Sequence, residues 1–291
     1  MRRLAIVLLW FLWRLLPARA LGALGGLLGG LMYYLGSERR HVVTTNLRLC
    51  FPQRTEAERA RLARAHFRAV GRAALQETAS WWGSQEEIMA MAQVEGREHL
   101  AAYLGKPVIL YAPHFVGVSI GGIRLSAEFA PLVTLNARIK NPHIHRLVFR
   151  ARHRFAGNLA YERGDGIKPV LRAIKKGLPF YYPPDLDFGR KDAIFVPFFG
   201  VPAATITGLA RVARMTRAAV VPAITRQEGG GYVTRLYPAW ENFPTDDVEA
   251  DTRRVNAFLE ERIREMPAQY FWVHKRFKTR PEGEASFYGT R

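Results

Sequence analysis

The 291-residue chain has one cysteine, Cys50, so it can form no internal disulfide and no cysteine-based metal site. A lone thiol of this kind is most often a small core residue. Acidic residues are scarce beside basic ones, 25 against 43, which leaves a formal charge of +18. That imbalance points to an anionic partner: nucleic acid, an acidic membrane surface, or a phosphorylated or acidic substrate. Nucleic acid is disfavoured, because the chain carries no nucleic-acid motif and its basic residues are dispersed. Internal repeats, low-complexity tails and long linkers are missing, so the residues from about 40 onward read as one domain. His143 and His145 have the spacing of a metal pair, but no carboxylate or cysteine cluster accompanies them. No metal and no nucleotide cofactor is expected.

The N-terminus lacks an uninterrupted apolar run long enough to span a bilayer, which takes roughly 20 residues. Leu4 to Trp13 is apolar, then Arg14, Pro17 and Arg19 intervene, and apolar character resumes from Ala20 to Leu35. No small-residue cleavage site marks a signal peptide. Read through, the segment is expected to anchor at a membrane, spanning it with snorkelling arginines or lying in the interface. Arg2 and Arg3 favour the cytoplasmic side, and Trp10, Trp13, Tyr33 and Tyr34 suit the interface. Gly22, Gly26 and Gly30, like Gly25 and Gly29, recur at four-residue spacing, which permits close helix packing. The expected division is an anchor over 1–38 and a catalytic domain over 39–291.

Within that domain short apolar strands alternate with helices. Thr55 and Glu58 form a capping box that opens a helix expected to run to about Gly83. A short helix over Arg97 to Leu104 stops at Gly105. Strands are expected at Val108 to Ala112, Leu132 to Leu135, Leu178 to Tyr182, Ala218 to Thr225 and Tyr232 to Tyr237. Helices are expected at Ile120 to Ala130, Ile167 to Lys176, Thr205 to Thr216 and Val248 to Arg264. The pattern predicts an α/β sandwich with a parallel or mixed sheet flanked by helices. Ligands in such folds gather at the carboxyl ends of strands. His114 and Asp185 each follow a predicted strand.

A histidine can take a proton near neutral pH, so His114 is the foremost candidate base, with a structural role equally open on position alone. Gly117 and Gly121-Gly122 leave room beside it. Asp185 and Asp187 in PPDLDFGRK can orient a histidine or arginine, bind a metal, or cap the turn, which is the commonest use. Phe195 to Thr205 is apolar and turn-rich, as plain core or as the wall of an acyl tunnel. Arg163 and the basic run His274 to Arg280 are candidates for phosphate contact, because guanidinium forks match phosphate geometry.

These segments together resemble the lipid A biosynthesis lauroyl/myristoyl acyltransferase family, from about Asn46 to Tyr288. The marks are NLRLCFP (Asn46 to Pro52), VEGREHL (Val94 to Leu100), APHFVGVS (Ala112 to Ser119) and PPDLDFGRK. FVPFFGVPAATITG (Phe195 to Gly208) and QYFWVHKRFKTRPEGE (Gln269 to Glu284) complete the series. The resemblance implies a glycerolipid-acyltransferase-like mixed sheet flanked by helices, an N-terminal membrane helix and a site at the cytoplasmic face of the bacterial inner membrane. It implies transfer of an acyl chain from acyl carrier protein to a hydroxyl on a lipid A precursor. By the same likeness Arg163 contacts acceptor phosphate, Asp185 braces that arginine or His114, and Phe198 and Phe199 wall the acyl chain.

The chain departs from the family's HxxxxD/E motif at one of its two positions. His114 matches the histidine, but Ser119 stands where the acid belongs. In a catalytic triad, losing the carboxylate's charge costs about four orders of magnitude in rate, so impaired turnover is expected. Three accounts stay open: an engineered inactive variant, a natural member in which Asp185 or Asp187 supports His114, or a natural non-catalytic lipid-binding relative. A different acceptor, another glycolipid or an aminolipid, is the close alternative that keeps the chemistry.

Overall fold

The computed structural model describes residues 2–129, 131–155 and 157–289; of Arg2 and Arg3 it describes the backbone alone. The orienting side chains of Arg2 and Arg3, and the expected helix end at Ala130, lie outside the described residues.

Helices α1 (Arg2–Leu15), α2 (Ala18–Leu35), α3 (Ser37–Cys50) and α4 (Glu56–Gln76) open the chain, followed by the short α5 (Thr78–Trp82) and α6 (Gln85–Met91). Alternation then begins: β1 (Ala92–Glu95), α7 (Arg97–Ala101), β2 (Val108–Tyr111), α8 (Val118–Phe129), β3 (Val133–Asn136), α9 (Pro142–Arg152) and β4 (Leu159–Glu162). It continues with α10 (Lys168–Lys175) and β5 (Phe180–Tyr182), and a hairpin of β6 (Ala193–Phe198) and β7 (Val201–Ile206) interrupts it. Helix α11 (Gly208–Thr216), β8 (Ala219–Glu228), β9 (Gly231–Leu236) and α12 (Val248–Glu265) complete the order.

The main sheet runs β1-β9-β8-β2-β5-β3-β4, and every neighbouring pair is parallel except β8 with β9. Its centre is apolar on both faces, as parallel sheets covered by helices require; all four residues of β2 are fully buried. The expected mixed α/β architecture is therefore present. Several boundaries differ from the sequence pattern: the helix expected over Arg97 to Leu104 ends at Ala101, the strand expected to end at Thr225 runs to Glu228, and two further shifts have a clear physical cause. The helix expected from Thr205 begins at Gly208, because Val201–Ile206 pairs antiparallel with Ala193–Phe198. The helix expected to reach Gly83 breaks after Gln76. There the Thr78 and Ser80 hydroxyls donate to the Leu75 and Glu77 carbonyls at 2.6 and 2.7 Å, competing with the backbone ladder.

Pro17, which cannot continue a helix by donating an N–H, divides α1 from α2, and α2 meets α3 at a 91° bend at Gly36. Among the described residues no single helix is long and apolar enough to cross a membrane, although the bent α2–α3 pair passes by length and composition. The expected membrane-spanning helix is thus unconfirmed. The four-residue glycine spacing has a definite use within the chain. A Cβ at Gly25 would overlap the carbonyl oxygen of Gly71, and one at Gly29 that of Phe67, so α2 lies backbone-to-backbone on α4. A Cβ at Gly26, at the margin of the same contact, would come no closer than 3.9 Å to α4, at the Arg68 carbonyl oxygen.

The last segment of the chain, after α12, folds back over the first. Asn46 in α3 is fully buried and donates to the carbonyls of Trp272 and His274, both at 2.8 Å, while accepting from the Tyr288 hydroxyl at 2.5 Å. His66 in α4 is fully buried and its Nδ1 lies 2.9 Å from the Ala268 carbonyl, so that nitrogen carries the proton and donates. Burial pushes the His66 pKa down to about 4, against the opposing carbonyl bond.

Two predictions follow from this packing. Gly29→Val should lower the thermal midpoint by several degrees, in line with the about 1–3 kcal/mol cost of overpacking, whereas Gly26→Val should change it little; equal midpoints would contradict the α2–α4 contact. Because the unfolded chain protonates His66 near its ordinary value and the folded chain only near pH 4, stability should be full above about pH 6.5 and fall as pH drops through 4. The His66 share is on the order of 3 kcal/mol, and His66→Gln should remove that share from a pH series of denaturant melts.

Candidate active site

Strands β2 and β5 are parallel neighbours with Tyr111 opposite Tyr182, and the Ala112 N–H donates to the Tyr182 carbonyl at 3.0 Å. Three residues beyond each of those tyrosines come His114 and Asp185. The sheet itself therefore delivers them to one place. His114 Nδ1 lies 2.8 Å from Asp185 Oδ1, and the His114 backbone N–H donates to both carboxylate oxygens at 3.0 and 3.1 Å. The Asp185 side chain is 1% exposed and the His114 ring 22%, so the carboxylate is sealed beneath an accessible imidazole. Burial works against ionising Asp185, but the His114 charge and the bonds from His114 outweigh it and hold the carboxyl below its usual range. With Nδ1–H donated to the carboxylate, Nε2 is left as the basic nitrogen.

The loop carrying His114 is fixed from the other side by the C-terminal segment. Phe271 N–H donates to the His114 carbonyl at 2.9 Å and Val116 N–H to the Gln269 carbonyl at 2.8 Å, with Phe115 and Tyr270 bridged antiparallel. Motifs more than 150 residues apart thus clamp one loop.

His114 lines a cavity of about 410 Å³. Its walls are largely apolar, with Val70 and Ala73 from α4, Ile123 from α8, Leu135 and Val148 across the sheet edge, and Phe271. Charged groups are few: Glu77 and Arg152 stand on the lining with His114, beside the polar Ser80, Ser119, Ser126 and Asn158 among others. Ser119 lies in the first turn of α8, on the cavity lining with Glu77, and its hydroxyl favours the ionised form of that carboxyl. Ser80 Oγ donates to Glu77 Oε1 at 3.0 Å. Burial raises the Glu77 pKa to about 7 despite the opposing Ser80 and Ser119 bonds and the Arg152 charge.

The structure brings His114, Asp185 and Ser119 together and sets the other expected residues elsewhere. Asp187, 2% exposed, caps the turn as aspartates there commonly do: it accepts from Gly189 N at 2.9 Å and from Thr279 N and Oγ1 at 2.7 and 2.8 Å. Arg163 is exposed outside the cavity, its guanidinium 4.3 Å from the Phe188 ring. Phe198 and Phe199 do not line the cavity; Phe198 is buried against Tyr270 and Phe277, and Phe199 turns the β6–β7 hairpin at φ 50°. The basic run His274 to Arg280 turns inward in part. Arg276 is buried, bonding the Ala204 carbonyl and Thr205 Oγ1 at 3.0 Å each, and Arg280 bonds the Pro202 carbonyl. Gly117 and Gly121 serve packing, because Thr225 and Tyr232 fill the space beside Gly117 and Thr225 and Thr234 that beside Gly121; only Gly122 reaches the cavity. His145 pairs with Glu162 at 3.0 Å. Glu77 and Arg152 are the cavity's charged groups that sequence reasoning missed, since each sits in a helical stretch with no motif around it.

A family model of bacterial lipid A biosynthesis acyltransferases matches residues 2–279. The chain belongs to that family. The lipid A biosynthesis lauroyltransferase of Escherichia coli is 33% identical over 290 residues, covering 98% of this chain and 94% of that protein. The lipid A biosynthesis palmitoleoyltransferase of Escherichia coli is 32% identical over 287 residues, 96% of this chain and 92% of that protein. The corresponding Escherichia coli myristoyltransferase is 30% identical over 258 residues, with 87% and 80% covered. Within this acyltransferase family pattern, the carboxylate beside the histidine of the present chain comes from position 185.

The two aspartates of PPDLDFGRK should therefore separate on mutation. Asp185→Asn should cut turnover by about three to four orders of magnitude, as loss of a histidine-orienting carboxylate does in a triad. Asp187→Asn should chiefly lower the thermal midpoint. Turnover and melting of both variants check this, and equal kinetic damage from the two would contradict it.

Proposed function

We propose that this chain transfers a fatty acyl group from acyl carrier protein to a hydroxyl of a lipid A precursor, at the cytoplasmic face of the bacterial inner membrane. The His114–Asp185 pair, with His114 on the lining of a largely apolar cavity, carries the proposal. His114 Nε2 takes the proton of the acceptor hydroxyl as its oxygen attacks the thioester carbonyl. A carbon–oxygen bond forms, the carbon–sulfur bond breaks, and the imidazolium returns the proton to the departing thiolate. Asp185 fixes the tautomer and stabilises the transient imidazolium. Since this carboxylate is present, Ser119 does not by itself disarm the histidine.

The surroundings fit the two substrates. The cavity's apolar walls suit an acyl chain, and Arg152 suits an anionic group on donor or acceptor. Arg138, Lys140, Arg146 and Arg150 are exposed on the β3–α9 stretch that borders the cavity, a surface that attracts an acidic carrier protein. Leu4, Leu8, Phe11 and Leu15 of α1 and Leu27, Leu31 and Leu35 of α2 are exposed, which favours burial of this face in lipid.

The proposal predicts transfer from an acyl carrier protein thioester to a lipid A precursor, reduced by about three orders of magnitude or more in His114→Ala. Leu8→Glu with Phe11→Glu should slow the reaction in anionic vesicles and leave it intact in detergent. Transfer to an aminolipid or another glycolipid in place of the precursor would keep the dyad chemistry and replace the acceptor. Binding of the precursor without transfer to any acceptor would sink the enzymatic reading.

A further inference from the structure

The family motif puts a carboxylate five residues past the histidine, and in this chain that position offers a hydroxyl. Asp185 already holds His114 Nδ1, so a carboxylate at 119 is not required to orient the ring. What position 119 faces is the cavity. A carboxylate does reach that point, from another element. Glu77 sits at the break between α4 and α5, with its backbone N–H on the Ala73 carbonyl at 2.8 Å and its own carbonyl accepting from Ser80 Oγ at 2.7 Å. Its side chain lies on the cavity lining with Ser119, Ser80 Oγ stands 3.0 Å from its Oε1, and the Ser119 hydroxyl and the Arg152 charge both favour its ionised form.

Resting on the acyl-transfer reading above, we propose that Glu77 is the carboxylate that serves position 119. Acting through the Ser119 hydroxyl, it sets how the acceptor is held beside His114. Glu77 and Ser119 together replace the single acid of the motif. By accepting a hydrogen bond from the Ser119 hydroxyl, the carboxylate turns the serine's lone pairs toward the cavity, where they accept a hydrogen bond from the incoming hydroxyl. Arg152 balances the charge at the same end. Glu77 is thus a positioning residue, while His114 does the proton transfer.

The environment argues against a purely structural role. Burial makes the charged form of Glu77 costly; a neutral glutamine would escape that cost but would bring an NH2 donor that turns one of the serine hydroxyls the other way. The side chain stands where its charge is costly, on the wall of the cavity that His114 lines.

The test uses the full chain in detergent, with an acyl carrier protein thioester and a lipid A precursor. Glu77→Gln should lower kcat about 10- to 100-fold, the range for losing a hydrogen bond to a charged group, with little change in donor KM and a thermal midpoint at or above the parent's. Ser119→Ala, which leaves Glu77 in place, should also slow the reaction. The double variant Glu77→Gln/Ser119→Glu, which returns a carboxylate to the cavity at 119, should recover most of the lost rate. Parental rates in Glu77→Gln or in Ser119→Ala would overturn the proposal, as would a loss that Ser119→Glu does not relieve. A silent parent that Ser119→Glu alone activates would overturn it too, while upholding the family reaction. Silence in every version, against any acceptor, would instead remove the acyl-transfer reading and this proposal with it.

Discussion

Tyr111 stands opposite Tyr182 on two parallel strands that are buried on both faces, so the residues following them emerge side by side. His114 and Asp185 inherit that adjacency, and the rest of the molecule is arranged to keep it. Prolines after both strands end the ladder and turn the chain outward. The C-terminal segment then bonds the His114 loop on its free side, and Asn46 and His66 hold that segment in turn. A slip of one residue between β2 and β5 would separate the pair and turn every side chain of the strand over. The apolar faces of the sheet make such a slip prohibitive.

Two carboxyls near the cavity have been driven in opposite directions by their surroundings. Asp185 has an imidazole and a backbone N–H as partners, which hold it ionised despite burial. Glu77 has the Ser80 and Ser119 hydroxyls and the Arg152 charge to favour its ionised form, and burial prevails, bringing it to about 7. Groups of one type whose affinities for the proton are pushed apart in one site are suited to different tasks. One carboxylate serves the ring and the other serves the cavity.

The architecture was largely legible because its signals are local. Apolar runs of strand length, the Thr55 capping box and the proline-terminated β2 lie where the sequence pattern puts them. The position of His114 and Asp185 after strands was legible too, but not their contact, since strand order and register depend on pairings far apart in sequence. Glu77 was hidden because its role arises from a helix break made by the Thr78 and Ser80 hydroxyls, which no periodicity reveals. Phe198 and Arg276 misled for a related reason. Aromatic and basic runs look alike whether they line a site or pack against each other, and here the guanidinium stands 4.8 Å from the Phe198 ring.

The contact of α2 with α4 through Gly25, Gly29 and Gly71 leaves no side chain between the two helices to yield. Helix α4 also lines the cavity, through Val70 and Ala73, and ends next to Glu77. The exposed apolar face of α2 is therefore joined through α4 to the cavity that His114 lines. Wherever lipid settles against that face, His114 stands at a set height above it. A glycolipid whose chains stay in the bilayer would then present its hydroxyls at graded depths, and only those at the matching level would meet the base. Regiochemistry would be chosen by elevation, with glycines acting as the rivets of the gauge.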